Sequence, residues 1–185
     1  MIDLTGKNVT YYGYTSVIDT ASVTRLCQAL NIASNNNADF IYLCLNSFGG
    51  AVADGIYLYN HIRALPVKMI LHATGLIASI AAIAFVAAEV RYATDNSLFL
   101  IHATTVGPYP VAINGQELKS AVAYADAEDD RTDQIFRART TITDEILLSK
   151  RSREIYLSPQ EALKFGLVHE IGDFSVPAGV QVIQI

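Results

Sequence analysis

Cysteine is scarce in this chain: Cys27 and Cys44 are the only two in 185 residues, and both sit in apolar stretches. Two thiols so placed build neither a disulfide framework nor a metal-ligand pair, and they read as reduced core residues of a cytosolic protein. Basic charge is short as well. Thirteen Lys and Arg stand against eighteen Asp and Glu, a formal net charge of −5, and the densest basic group is only Lys150, Arg151 and Arg153. That balance argues against a nucleic-acid partner, which normally meets a basic patch. Long apolar runs are missing too: the longest, Ile77 to Ala88, is twelve residues including Ser79, whereas a bilayer span needs about 20. Residues 1–6 have neither the charged start nor the apolar run of a signal peptide. No two His stand at metal-ligand spacing and no Gly-Lys-Ser/Thr phosphate loop occurs, so neither a metal nor a nucleotide cofactor is expected.

What is plentiful is apolar side chain, 51% of residues against 17% charged. The length suits one well-buried domain, and the surplus favours an oligomer over a compact monomer. Strand, turn and helix alternate through the first hundred residues. Strands are predicted over 9–12, 40–45, 67–73 and 98–101, and helices over 21–33, 53–65 and 78–89. Val23, Leu26, Leu30 and Ile32 mark the apolar side of the first helix, and Thr74-Gly75 reads as the turn into the third. Such alternation indicates an α/β core with mostly parallel strands. The texture changes after Pro108 and Pro110. A long helical pattern covers 116–149 with a highly charged middle, Asp126 to Arg131. Ser158-Pro159-Gln160-Glu161 then opens another helix with a capping box, and 180–185 alternates like an edge strand.

Three segments could carry chemistry. Ser79 lies in Gly75-Leu76-Ile77-Ala78-Ser79-Ile80-Ala81-Ala82, at a strand-to-helix turn where free amides and the helix dipole favour developing negative charge. A Ser there is most often a plain helix cap. Asn46-Ser47-Phe48-Gly49-Gly50 follows a buried strand, and paired glycines can aim a backbone amide into a cleft or simply permit a tight turn. His102 ends the strand 98–101, where α/β proteins gather active groups. An ordinary imidazole, titrating near about pH 6.5, can accept a Ser proton at neutral pH.

In this order the three segments resemble the ClpP family of serine peptidases, as does the closing run Tyr156-Leu157-Ser158-Pro159-Gln160-Glu161-Ala162-Leu163-Lys164-Phe165-Gly166-Leu167-Val168. The likeness covers roughly 9–171. It implies an α/β, ClpP/crotonase-like fold of stacked β-β-α units with a protruding handle helix. Residues 1–185 would form one domain, with a core of about 8–112 and 154–185 and a handle of about 113–153. It also implies a serine endopeptidase with Ser79 as nucleophile, His102 as general base and the Gly50 and Ile80 amides as oxyanion hole. The family's catalytic Asp falls on Glu154, whose extra methylene moves the carboxylate by about 1.5 Å; a misplacement of that order can cost about 100-fold in rate.

The partners implied are peptide or unfolded-protein substrates and further copies of the chain, in a heptameric or double ring in the cytoplasm. Phe48 stands for the family's Pro and Ile80 for its Met, without changing a reacting atom. The Gln-Gly signature of the handle is missing, as is the leading segment that meets the ATPase, so an ATPase partner stays open. Two alternatives are a catalytically silent ring subunit, kept alive by Glu154, and a crotonase-type acyl-CoA enzyme.

Overall fold

The computed structural model describes residues 1–108 and 112–185; Pro110, one of the two prolines at which the sequence changes texture, lies outside the described residues. The elements run β1 (Val9–Thr15), α1 (Thr20–Asn35), β2 (Phe40–Ser47), α2 (Val52–Ala64), β3 (Lys68–Ala78), α3 (Ile80–Phe85), β4 (Val90–Ala93) and β5 (Leu98–Ile101). They continue with α4 (Gly115–Arg139), α5 (Asp144–Ser149), β6 (Ile155–Leu157), α6 (Pro159–Lys164), β7 (Glu170–Ile171) and β8 (Val182–Gln184). The sheet order is β6-β5-β3-β2-β1-β8, with β4 beside β3 and β7 beside β4. Among the described residues every strand pairing is parallel except that of β5 with β6. No helix among the described residues is long and apolar enough to cross a membrane.

Burial follows the strand period. In β2, Ile41, Leu43 and Leu45 join the large core, while Phe40, Tyr42 and Cys44 join a second cluster with Tyr11, Ile70 and Tyr92. A strand covered on both faces is why its sequence reads as one unbroken apolar run. Helix α1 is capped by Asp19, whose carboxylate accepts the Ser22 amide, and it buries Val23, Leu26, Cys27, Leu30 and Ala33. Ile32, expected on that side, faces solvent at 60% exposure.

The sequence expectation differs from the structure around residue 75. Strand β3 does not turn at Thr74-Gly75 but runs on to Ala78, and α3 is only six residues long. The strand changes partners instead: Ile70–Ala73 pair with β4, and Leu76–Ala78 pair with β5. Opposite the change, β2 shifts register between Leu45 and Ser47, and the Asn46 side chain accepts the Leu76 amide at 2.9 Å. That side-chain bond holds the backbone extended where apolar periodicity does not separate strand from helix. The long pattern at 116–149 likewise divides: Thr140 caps the end of α4, and the Thr143 hydroxyl caps the start of α5. Short hydroxyl side chains compete for backbone groups at such breaks.

Two arginines, Arg91 buried and Arg139 half-buried, hold the turn that follows α3. Arg139 donates to the Val86, Ala87 and Ala88 carbonyls, and Arg91 donates to those of Ala88, Gly166, Leu167 and Arg139. Buried carbonyls just past a helix end need such donors. The short helix is thereby anchored at its C-terminal end, leaving its N-terminal end to the site.

On the opposite face of the sheet, His72 is fully buried. Its Nε2–H donates to the Gly172 carbonyl at 3.1 Å, and its Nδ1 accepts from the Tyr42 hydroxyl at 2.7 Å. Burial pushes its pKa down from 6.5 to about 4, against smaller opposing effects of the Gly172 hydrogen bond and Asp173. Between those values the unfolded chain takes a proton that the folded chain refuses. The contribution to stability is therefore whole above pH 6.5 and shrinks as pH falls toward 4, by about 3 kcal/mol in all. Urea unfolding across this window should show the midpoint falling with pH, and His72→Phe should flatten the profile.

Candidate active site

Ser79 links β3 to α3 with φ 57° and ψ −132°. A non-glycine residue in that region carries strain of about 1–3 kcal/mol, which surrounding structure must impose. Here the imposition is visible: the Ser79 amide donates to the Leu100 carbonyl at 2.8 Å on one side, and α3 begins at once on the other. The side chain makes no capping hydrogen bond, so the hydroxyl is not spent on the helix as an ordinary cap would be.

The paired glycines are shaped by this serine. At Gly49, φ is 88°, and a Cβ would lie 2.6 Å from the Ser79 Cβ and 2.7 Å from the Ala78 carbonyl oxygen. At Gly50, φ is 152°, and a Cβ would lie 2.1 Å from the Ile18 carbonyl oxygen. Ile18 donates to the Gly49 carbonyl, and Ala51 donates to the Ile18 carbonyl, both at 2.8 Å. The Gly50 amide shares a trans peptide group with the Gly49 carbonyl, which faces Ile18, so its N–H points the opposite way. Ile80 is the first residue of α3, a position whose amide has no acceptor within the helix. Gly50, Ser79, Ile80 and His102 all line one cleft, walled by Val52, Ile83 and Phe136.

The register explains the meeting. Ala78 pairs with Leu100 across β3 and β5, so Ser79 and His102 each follow directly on the end of one of two neighbouring strands. The imidazole Nδ1 lies 2.7 Å from the Ala103 carbonyl oxygen. A carbonyl can only accept, so this nitrogen carries a hydrogen, and in the neutral ring Nε2 then keeps its lone pair. That is the tautomer a general base needs.

Glu154 is placed otherwise. The antiparallel ladder of β5 and β6 ends at Ile101 opposite Ile155, so the next rung would bring Glu154 opposite His102. Its carboxylate instead turns toward β6 and accepts the Tyr156 hydroxyl at 2.7 Å. It is exposed and lines a separate depression with Thr143, Ile146 and Phe165. Among the described residues, no hydrogen bond joins it to His102, and the backbone carbonyl of Ala103 occupies the orienting position. The reason is local: Glu154 directly precedes β6, and residues two apart in extended backbone share a face.

Several lining residues escaped sequence reasoning. Thr104, Thr132, Phe136 and Lys150 border the cleft, although the last three belong to the helical insertion between β5 and β6. The only sequence signal for Lys150 was its membership of the basic group 150–153.

The sequence profile of the Clp protease family matches residues 10–174. The ATP-dependent Clp protease proteolytic subunit 2 of Pseudomonas aeruginosa is 31% identical over 159 residues, covering 85% of this chain and 78% of that protein. The ATP-dependent Clp protease proteolytic subunit of Deinococcus radiodurans is 27% identical over 150 residues, covering 80% of this chain and 72% of its own. Among solved structures, a mutant of ClpP1 from Listeria monocytogenes shares the fold with a TM-score of 0.77 at 21% identity, over 90% of this chain and 92% of that one.

Proposed function

This chain belongs to the Clp protease family, and we propose that Ser79, His102 and the Gly50 and Ile80 amides carry out its serine endopeptidase chemistry. One observation carries the reading: an uncapped, backbone-strained Ser79 hydroxyl borders the same cleft as an imidazole whose Nε2 is bare. Nε2 takes the hydroxyl proton as Ser79 Oγ bonds to the scissile carbonyl carbon. The Gly50 and Ile80 amides receive the negative oxygen so formed. The imidazolium then gives its proton to the departing amine as the C–N bond breaks. Water, losing a proton to the same Nε2, cleaves the acyl ester and returns Ser79. The apolar walls Val52, Ile83 and Phe136 suit an apolar side chain beside the scissile bond.

The Pseudomonas aeruginosa and Deinococcus radiodurans relatives are named as ATP-dependent Clp protease proteolytic subunits. For this chain the proposal extends to peptide or unfolded-protein substrates and to a ring of its own copies, heptameric and single or doubled, in the cytoplasm. Leu118, Val122 and Tyr124, exposed on α4, supply apolar surface for contact between copies.

Treatment with a fluorophosphonate, read by intact mass, should give one adduct per chain, absent from Ser79→Ala. Failure of the wild-type protein to label would assign it as a silent ring subunit, the reading that the engagement of Glu154 with Tyr156 favours. A second result follows from the same geometry. With Ala103 orienting the imidazole, Glu154→Gln should lower kcat/KM for a short peptide less than about threefold, whereas a triad carboxylate is worth about 10⁴-fold.

A further inference from the structure

Behind the cleft lies a buried charge cluster that the chemistry above does not use. Asp129 and Asp133, four apart on one face of α4, are 5% and 3% exposed, and Lys150, at the end of α5, is 2% exposed. The Lys150 ammonium lies 3.1 Å from Oδ1 of Asp129 and 3.1 Å from Oδ1 of Asp133. Arg151 reaches Asp133 from the outer side at 3.4 Å. Burying charge is costly, and two carboxylates around one ammonium are a poor way to stabilise a fold when apolar packing would serve. What the cluster touches supplies its purpose. The same Asp129 Oδ1 accepts the Thr104 amide at 2.8 Å and the Thr104 hydroxyl at 3.0 Å, and the Lys150 carbonyl accepts the Ala103 amide at 3.1 Å. Two consecutive amides directly after His102 are thus each held by one member of the cluster, and between them stands the carbonyl that receives the His102 Nδ1–H.

We infer that Asp129 and Lys150 are positioning residues for His102: they immobilise the backbone at Ala103 and Thr104, and so fix the carbonyl that sets the imidazole's tautomer and direction. The inference rests on the proposed role of His102 as base for Ser79. It explains how the site can do without a carboxylate on the imidazole, and it ties α4, an element outside the sheet, to the reacting groups. Charge-assisted bonds suit the task, being shorter and stronger than neutral ones.

The test uses the purified full chain in its native assembly. Asp129→Ala removes the Thr104 anchor but leaves Lys150 balanced against Asp133. It should lower kcat for a short fluorogenic peptide at least about tenfold with KM within about twofold. In protein carrying ¹⁵N-histidine, the His102 signal should move from the Nδ1–H tautomer toward a mixture. Asp133→Asn removes the same formal charge without touching residues 103–104, and should leave kcat within about twofold and the His102 signal in place. Asp129→Asn should shift both readouts the same way with about a threefold loss, and it decides the matter if Asp129→Ala does not assemble. Wild-type kcat and tautomer in the deciding Asp129 variant, or equal losses in the Asp129 and Asp133 variants, would overturn the inference. Hydrolysis that survives Ser79→Ala overturns the proposed function instead, and the tautomer measurement still reports on the Asp129–Lys150 anchor.

Discussion

Ser79→Ala lowers the hydrolysis of a short fluorogenic peptide by at least about a thousandfold, while the assembly elutes from a sizing column unchanged. The expectation has two parts because the residue does two things. Its hydroxyl, uncapped in the cleft, is the group to which an acyl carbon would bond, and Ala has nothing to put there. Its backbone, at φ 57°, is held by the Leu100 carbonyl and by α3, neither of which uses the side chain. Removing the oxygen therefore leaves the turn standing. Glycine at the same position separates the parts further: Ser79→Gly is as inactive as Ser79→Ala, yet it unfolds at higher temperature than Ser79→Ala, since relief of a left-handed residue is worth about 1 kcal/mol. Steady-state rates and calorimetry on the three proteins check both halves. Peptide cleavage persisting in either variant removes Ser79 from the mechanism.

Gly50→Ala carries the second large effect, and it strikes stability and rate together. The new Cβ meets the Ile18 carbonyl oxygen at 2.1 Å, a backbone atom that cannot swing aside. Relief requires parting the two 2.8 Å hydrogen bonds between Ile18 and the segment 49–51. Each is worth about 1 kcal/mol net, and the backbone angle of 152° adds more, for a cost of about 3 kcal/mol. In a chain of this length that lowers the melting temperature by roughly 6–12 °C. The same movement carries the Gly50 amide off the position where the oxyanion forms, and loss of one such donor costs about 10²–10³ in kcat. A melting temperature within about 2 °C of wild type together with full activity would mean that the turn has room the present geometry denies.

Much of the molecule was legible beforehand because its signals are local. The unbroken apolar run of β2, the Ser158–Glu161 capping box of α6 and the Asn-rich end of α1 each report a requirement met within a few residues. Errors arose where a local signal was ambiguous and a distant residue resolved it. Thr74-Gly75 resembles a turn, but the Asn46 side chain holds it extended. The three-residue β6 and two-residue β7 show too few alternations to stand out, and β4 follows directly on the apolar run read as the third helix. Glu154 takes the place of the family's catalytic Asp in the sequence likeness, and the ladder continued one rung beyond Ile101 and Ile155 would bring it opposite His102; the hydroxyl of Tyr156, two residues on, competes for its carboxylate.

The order of residues by itself determined an α/β architecture, family membership and the candidate nucleophile, base and amides, since each lies in a short motif whose periodicity or turn chemistry is carried along the chain. Only the tertiary structure decided that Ser79 is strained rather than a cap, that a backbone carbonyl orients His102, and that Asp129 and Lys150 meet behind the cleft. Those outcomes depend on contacts between residues twenty or more positions apart or on which of two nearby partners a side chain takes, and such competition is settled by packing and register.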